Sequence, residues 1–227
     1  MVIEPGRLGV CLQRVYHYVL LVLSPPRCAH CDCYMSDRAV FCSACRKKVH
    51  SVVSVGLPIT KKQTVTVYAA TSYQEPITSL ILAKRWSSVS ASLQLAACIW
   101  DSGCLAGRHV DCLVPVPLHW TRQAVRGFNQ AEEIAQELGK RLGVSVAPLL
   151  HRSKRTRHQT ALSHSERPKN VHNAFSAHCC LSAYAGKDIM LVDDVMTTGA
   201  TLREAARVLF AARPASISAV VAARAIQ

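Results

Sequence analysis

Two adjacent carboxylates, Asp193 and Asp194, stand out in a chain that is basic almost everywhere else. An apolar run precedes them and a turn rich in hydroxyl groups and glycine follows, so that residues 189–201 read IMLVDDVMTTGAT. The apolar run predicts a buried strand that ends at the two acids. Paired carboxylates at a strand end can face a shared cleft and accept hydrogen bonds from ligand hydroxyl groups.

The turn after the acids has the properties of an anion site. It leads into a predicted helix, and the first backbone N–H groups of a helix have no partner within that helix. Those groups and the helix dipole favour a phosphate, and glycine lets the backbone approach the anion closely. The residues that we expect to hold the phosphate are Thr197, Thr198, Gly199, Ala200 and Thr201. Acids before an ordinary capped helix are the simpler alternative, but the order of the features favours a sugar phosphate, whose hydroxyl groups face the acids.

Four of the 11 cysteines form two C-x-x-C pairs. They are Cys28 and Cys31 in CAHC, and Cys42 and Cys45 in CSAC. Two such pairs, each on one tight turn, predict a tetrahedral zinc site with Zn–S distances of about 2.3 Å. Four sulfur ligands leave no position for a substrate water, so the predicted zinc is structural. Cys33 and His30 lie close enough in the sequence to be rival ligands, and His50 is a weaker candidate.

The composition indicates the class of ligand and the cellular location, but it does not identify one ligand. Lys and Arg number 27 against 14 Asp and Glu, and the resulting net charge of +13 favours polyanions such as nucleic acid, phosphorylated metabolites or acidic lipid. The odd cysteine count, with no export signal before it, predicts a reducing cytoplasmic location. The apolar stretch at 15–23 is shorter than the roughly 20 residues that cross a bilayer. We therefore expect a short helix there, ended by Pro25 and Pro26, and no membrane insertion.

The predicted elements alternate between strands and helices. The strands are expected at 64–70, 111–117, 187–194 and 216–223, and the helices at 76–86, 92–100, 129–144 and 200–212. Continuous apolar runs in such an order predict a parallel sheet covered on both faces. Ligands of these sheets bind at the carboxyl ends of the strands, where the two acids are expected. We expect two domains, a helix with a zinc ribbon at 1–55 and the sheet domain at 56–227.

The same segments resemble a known family. Residues 189–201 are similar at every position to the phosphoribosyl pyrophosphate (PRPP) binding motif of type I phosphoribosyltransferases. VPVPLHWTRQAVRGFNQAEEIA and RSKRTRHQTALSHSERPKNVHNAF resemble the ComF/GntX family, the competence-associated relatives of those enzymes. The double C-x-x-C and PITSLILAKRW extend the likeness over most of the chain. Trp86, where a tyrosine is usual, and AARPAS, where a turn with glycine is typical, depart from the family without touching the phosphate site.

The resemblance implies a fold and a set of roles. The fold is a type I phosphoribosyltransferase-like parallel sheet flanked by helices, with an N-terminal zinc ribbon. Asp193 and Asp194 would contact the ribose hydroxyl groups of PRPP, directly or through Mg²⁺, and the turn would hold its 5′-phosphate. Pyrophosphate would bind at the loop that contains Pro115, Val116, Pro117 and Leu118.

Basic residues complete the implied site. Arg122, Arg126 and the RGFNQ segment at 126–130, which contains Asn129, would neutralise the departing pyrophosphate or shape its pocket. A solvated surface charge is the alternative for Arg126, and a helix N-cap is the alternative for Asn129. Residues 152–170, which begin with Arg152, occupy the place of the family's mobile catalytic loop and would exclude water when closed.

Three functions remain open at this point. The first is a phosphoribosyltransferase, a glycosyltransferase whose acceptor is unknown. The second is a regulator that binds PRPP or a nucleotide without turnover. The third is a factor that handles single-stranded DNA with competence-machinery proteins in natural transformation, although aromatic residues for base stacking make up only 6% of the chain.

Overall fold

A computed structural model describes residues 26–37, 39–50, 52, 54–83, 89–118, 123–124, 127–152 and 173–225. The chain divides into two compact units between Lys48 and Val49. The helix predicted before Pro26, most of the predicted catalytic loop, and the side chains of Arg122 and Arg126 lie outside the described residues. Among the described residues no helix is long and apolar enough to cross a membrane.

The second unit is built on two sheets. Its strands are β1 (Val55–Pro58), β2 (Thr64–Ser72), β3 (Cys112–Pro115), β4 (Ser145–Val146), β5 (Leu150–Arg152), β6 (Phe175–Ala177), β7 (Asp188–Met196) and β8 (Ser216–Arg224). Six of them form one sheet in the order β1-β2-β8-β7-β3-β4, and β5 pairs with β6 separately. Within the six-stranded sheet only the β1–β2 pairing is antiparallel. The predicted parallel sheet is confirmed, with one antiparallel edge strand added.

Five α-helices lie in the described part of the chain. They are α1 (Ser43–Arg46), α2 (Ile77–Ala83), α3 (Val89–Asp101), α4 (Gln130–Leu142) and α5 (Ala200–Leu209). The helix predicted at 129–144 is confirmed as α4, which ends at Gly143 because that residue adopts a left-handed φ of 71°. The helix predicted at 200–212 is confirmed as α5, followed by a short 3₁₀ turn.

Helices cover both faces of the sheet, as the continuous apolar strands predict. Side chains alternate between faces along a strand. Ile189 and Leu191 therefore share one face of β7, and they are buried in a core with Leu202 of α5. Leu113 is buried on the opposite face, where a Cβ placed on Gly139 of α4 would lie 3.9 Å from its Cδ1 atom. Among the described residues the sheet therefore has buried apolar side chains on both faces, while Thr66, Tyr68 and Ser218 are only half-buried.

The prediction that the strand ends at the two acids is wrong. β7 continues through Asp193 and Asp194 to Met196, which pairs with Arg224 of β8. The other neighbour of β7 ends earlier, because the pairing with β3 stops where Pro115 lies opposite Val192. In the described part of the chain, therefore, β3 does not pair with β7 at the two acids.

Candidate functional site

A cleft opens at the carboxyl end of β7. Its lining residues are Asp193, Val195, Met196, Thr197, Gly199, Ala200, Thr201 and Leu202. Asp193 and Asp194 are both half-buried, and the backbone N–H of Asp194 donates a hydrogen bond to Asp193 Oδ1 at 2.9 Å. Asp194 and Thr198 do not line this cleft. The structure thus brings together one of the two acids and most of the predicted phosphate turn.

The phosphate turn is shaped by Gly199. This residue is the N-cap of α5 and has a φ of 73°, a left-handed conformation that glycine adopts without steric cost. A Cβ at this position would lie 2.7 Å from Leu57 Cδ1 and 3.0 Å from Met196 Cε. Thr198 Oγ1 accepts a hydrogen bond from the backbone N–H of Ala200 at 3.4 Å. The chain therefore bends sharply from strand to helix, so that the first turn of α5 faces the cleft.

Hydrogen bonds hold the predicted pyrophosphate loop at 115–118 against β7 and against the residue that precedes α4. The N–H of Val116 donates to the carbonyl oxygen of Val192 on β7 at 2.9 Å. The side chain of Asn129 is buried, and its Nδ2 donates to the carbonyl oxygen of Val116 at 3.2 Å. Pro115 is the last residue of β3, and Pro117 and Leu118 are half-buried. Side-chain capping of α4 by Asn129 is not found: the residue holds the N-cap position but uses its amide to position the loop.

Arg152 occupies the end of β5, at the start of the predicted catalytic loop. Its guanidinium lies over the ring of Phe175, its cross-strand partner, with 5.3 Å between the guanidinium carbon and the ring centroid. The structure does not bring Arg152 into the lining of the cleft. Arg126, the other predicted catalytic cation, lies outside the described residues, and so does the loop from 153 to 172.

A buried acid on α5 was missed by the sequence reasoning. Glu204 is 7% exposed and accepts the backbone N–H of Asn173 at 2.7 Å. Arg207 donates to the same carboxylate at 2.8 Å and to Asn173 Oδ1 at 3.2 Å. The hydrogen bond to Glu204 raises the pKa of Arg207. These bonds tie the chain just before β6 to the helix of the phosphate turn; the i,i+3 spacing of Glu204 and Arg207 is the signal that could have indicated the pair.

The first unit contains a cluster of cysteine thiols. The Sγ atoms of four cysteines lie within 4.8 Å of one another, and these are Cys28, Cys31, Cys33 and Cys42. Three of the four predicted ligands are therefore in this group, together with Cys33, the predicted rival. The thiol of Cys45, the fourth predicted ligand, interacts with those of Cys42, Cys31 and Cys28. Four sulfur atoms this close suit a soft ion with tetrahedral coordination, of which Zn²⁺ is the commonest in proteins.

Backbone donors favour a thiolate in this cluster. Burial alone would raise the pKa of Cys28, but hydrogen bonds from the backbone of Cys31, Cys42 and His30 outweigh it and lower the pKa to about 6. Hydrogen bonds with neighbouring thiols, Cys31 before Cys42, raise the pKa of Cys33 to about 12. Burial, followed by the neighbouring thiols, raises that of Cys45 to about 12. A hydrogen bond from the backbone of Cys45 is the main cause that lowers the pKa of Cys42, so the cluster favours a thiolate at two of its positions.

Comparison with known proteins finds a matching domain family and several relatives of this chain. The phosphoribosyl transferase domain family matches residues 124–227. Competence protein F from Haemophilus influenzae is 29% identical over 198 residues, which are 83% of this chain and 80% of that protein. DNA utilization protein YhgH from Escherichia coli K12 is 36% identical over 100 residues, 44% of this chain and 43% of the relative. Competence protein ComFC from Bacillus subtilis is 35% identical over 97 residues, 43% of this chain and 37% of the relative.

Solved structures with a similar arrangement are more distant. Glutamine PRPP amidotransferase from B. subtilis has a TM-score of 0.40 and 19% identity, over 59% of this chain and 26% of that one. Adenine phosphoribosyltransferase from Thermoanaerobacter pseudethanolicus has a TM-score of 0.38 and 14% identity, over 78% and 84%. The named relatives and the domain match together support a ComF family protein, with a phosphoribosyl transferase domain at residues 124–227.

Proposed function

We propose that this chain binds PRPP with Mg²⁺ in the cleft after β7 and serves the uptake and use of DNA in natural transformation. The observation that carries the binding proposal is the strand–turn–helix arrangement in which Asp193 and the Gly199 turn line one cleft. The names of the relatives, competence protein and DNA utilization protein, support the cellular role. A cytoplasmic location, where the DNA and PRPP are both present, belongs to the same proposal.

Different residues around the cleft bind different parts of the ligand. The N–H groups at the start of α5 and the hydroxyl groups of Thr197 and Thr201 hold the 5′-phosphate. The acids accept hydrogen bonds from the ribose hydroxyl groups, and the loop at 115–118 receives the pyrophosphate. Catalysis at such a site consists chiefly of holding the anomeric carbon, the leaving group and the acceptor in line and keeping water out.

The donor set fits magnesium. Mg²⁺ prefers oxygen ligands, and the carboxylates of Asp193 and Asp194 provide them beside the predicted ribose position. When bound, the ion would neutralise the negative charge of the pyrophosphate. In the first unit the cysteine cluster would hold a structural Zn²⁺, because all four of its positions are filled by sulfur.

Calorimetry with the zinc-loaded full chain tests the ligand. PRPP with Mg²⁺ should bind, and Asp193→Asn and Asp194→Asn should each weaken binding by about tenfold or more, since a charged hydrogen-bond acceptor is lost. Asp188→Asn at the other end of β7 is the matched control and should bind PRPP normally. An absence of heat with the wild-type chain would exclude PRPP as the ligand, and normal binding by both cleft variants would exclude the proposed ribose contacts.

Turnover separates a transferase from a binding protein. Release of pyrophosphate from PRPP in the presence of nucleobases or ammonia would establish phosphoribosyl transfer, and binding without release would establish a regulator. Contact with single-stranded DNA is tested separately by titration at several salt concentrations. Steeply weaker binding at higher salt is expected if the basic chain releases counterions from the DNA backbone.

A further inference from the structure

The cysteine cluster contains more thiols than one zinc ion can use. A structural zinc ion takes four ligands. Five thiols surround the candidate site, because Cys33 lies within the group of mutually close sulfur atoms while Cys45 interacts with Cys28, Cys31 and Cys42. Cys33 is exposed and Cys45 is 4% exposed, so the two approach from the solvent side and from the interior.

The position of Cys33 is built into the first knuckle. Asp32 adopts a left-handed φ of 58°, which turns the chain back toward Cys28. An ion pair of 2.6 Å joins Arg27 to Asp32, and the N–H of Cys28 donates to the carbonyl oxygen of Cys33 at 2.9 Å. A bridge between Arg27 and Tyr34 closes this small hairpin. The hairpin itself therefore presents the Cys33 thiol to the cluster, whether or not Cys45 is a ligand.

We propose that the metal centre has three permanent thiolate ligands and one exchangeable position. The permanent ligands are Cys28, Cys31 and Cys42, whose thiols neighbour both candidates for the fourth place. Cys33 and Cys45 exchange at that place. When Cys33 enters, a Zn–S bond forms to it and the bond to Cys45 breaks. The proton leaving the Cys33 thiol passes to Cys45, so the charge of the centre does not change.

The exchange has two consequences. The ion survives the loss of either exchangeable thiol, unlike an ordinary four-cysteine site, where each ligand is needed. The exposed thiol is free part of the time and is then open to a soluble electrophile. The inference rests on the proposed zinc site, and the wild-type chain separates the two: if it binds no metal at the cluster, the zinc proposal itself fails.

Metal spectroscopy of the full chain tests the ligand set. Zn²⁺ is replaced by Co²⁺, whose absorption distinguishes four sulfur ligands from three. Cys33→Ser and Cys45→Ser should each keep one ion with the four-sulfur spectrum. The double variant and the matched control Cys42→Ser should show three sulfurs and an affinity lower by about tenfold or more. If Cys45→Ser or Cys33→Ser alone behaves like Cys42→Ser, the fourth place has a single obligatory ligand and the exchange does not occur.

Labelling provides a second readout on zinc-loaded protein. Alkylation by a maleimide, followed by peptide mass spectrometry, measures the reaction rate of Cys33 relative to Cys28 and Cys42. In the wild-type chain Cys33 should react faster than both. In Cys45→Ser, where Cys33 becomes a permanent ligand, its rate should fall by about tenfold, toward that of Cys42. An unchanged rate for Cys33 in that variant would overturn the proposal.

Discussion

Gly199 decides how closely the chain can bend at the phosphate turn. Two features disfavour a side chain at this position. The backbone has a left-handed conformation, and an added Cβ would lie too close to Leu57 and Met196. The sequence indicated the first of these, because glycine after hydroxyl residues and before a helix is typical of an anion-binding turn. It did not indicate the second, since Leu57 lies on an edge strand 142 positions away that the sequence pattern did not reveal.

Gly199→Ala is expected to lower the free energy of unfolding by about 1 to 3 kcal/mol, from backbone strain together with the displaced side chain of Leu57. Gly143→Ala is the matched control, because its φ is 71° but nothing lies within 4 Å of the added Cβ. Urea unfolding of both variants measures the difference. Equal losses would mean that the contact with Leu57 contributes nothing, and only the backbone conformation matters.

Asn129 is a second residue whose role depends on a contact distant in sequence. Asn129→Asp keeps the size of the side chain but removes the donor and places a carboxylate oxygen against the carbonyl oxygen of Val116. We expect a loss of about 1 to 3 kcal/mol in the free energy of unfolding. PRPP affinity should fall as well, because the loop at 115–118 loses its fastening. Thermal unfolding and calorimetry measure the two effects, and a variant with wild-type values in both would show that the bond does not position the loop.

At the scale of elements, β7 carries a carboxylate site at each end. Asp193 lines the cleft near the carboxyl end of the strand, and Asp188 is the first residue at its amino end. There, Ser216 Oγ donates to Asp188 at 2.6 Å and His109 Nδ1 lies 3.0 Å from its other oxygen. The two carboxylates therefore differ in their surroundings: Asp193 faces a cleft, whereas Asp188 interacts with Ser216 and His109.

The bonds to Asp188 lower its pKa, Ser216 contributing first and His109 second. The folded protein thus holds the anion more strongly than the unfolded chain does. This stabilisation is fully present above the ordinary aspartate pKa of about 3.9 and is lost as the pH falls through the lowered value. Ser216→Ala is expected to cost about 1 kcal/mol at pH 7, because the carboxylate is about one-third exposed.

Urea unfolding across the acid range checks this pH dependence. The cost of Ser216→Ala should shrink below the ordinary aspartate pKa, since the protonated acid no longer gains from the donor. Asp188→Asn is the comparison, and adding Ser216→Ala to it should cost less than Ser216→Ala does alone. A cost that stays constant from neutral to acid pH would show that the hydroxyl contributes packing and not charge stabilisation.

At the scale of the whole molecule, the two units are stabilised differently. The main core, with residues such as Leu113, Leu191 and Leu202, lies in the second unit. The buried apolar residues among the described part of the first unit are Cys28, Val40, Phe41 and Cys45. The core that the described part of this unit contains is too small to hold a fold by itself, and the proposed zinc would stabilise it.

Removing the metal with a chelator should therefore loosen only the first unit. Hydrogen exchange of residues 26–48 is expected to accelerate strongly, while the unfolding transition of the second unit stays within about 1 kcal/mol of its original free energy. Exchange mass spectrometry and denaturant unfolding follow the units separately. Loss of the second transition on chelation would show that the metal stabilises the whole chain.

The sequence by itself determined the local features of this protein. The apolar runs of β7 and β8, the amphipathic helices α4 and α5, the glycine turn and the two cysteine pairs each follow from residues close together in the chain. The missed elements are those without such a local signal: β4 has two residues, β5 and β6 have three each, and β1 depends on its pairing with β2. So short a strand forms because a partner is present, and a periodic pattern needs more residues than it contains.

Tertiary structure alone decided which residues meet. It extended β7 past its acids, because β8 continues to pair with that strand after β3 has ended. In the folded chain the Asn129 amide bonds the loop at 115–118 instead of capping α4. Glu204 is buried against Asn173, and Cys33 lies among the other thiols. Each of these outcomes depends on the distance between atoms of separate segments or on the direction of a side chain. Neither quantity is encoded in the type of a single residue, so the same residues acquired roles that their own neighbours in the sequence do not indicate.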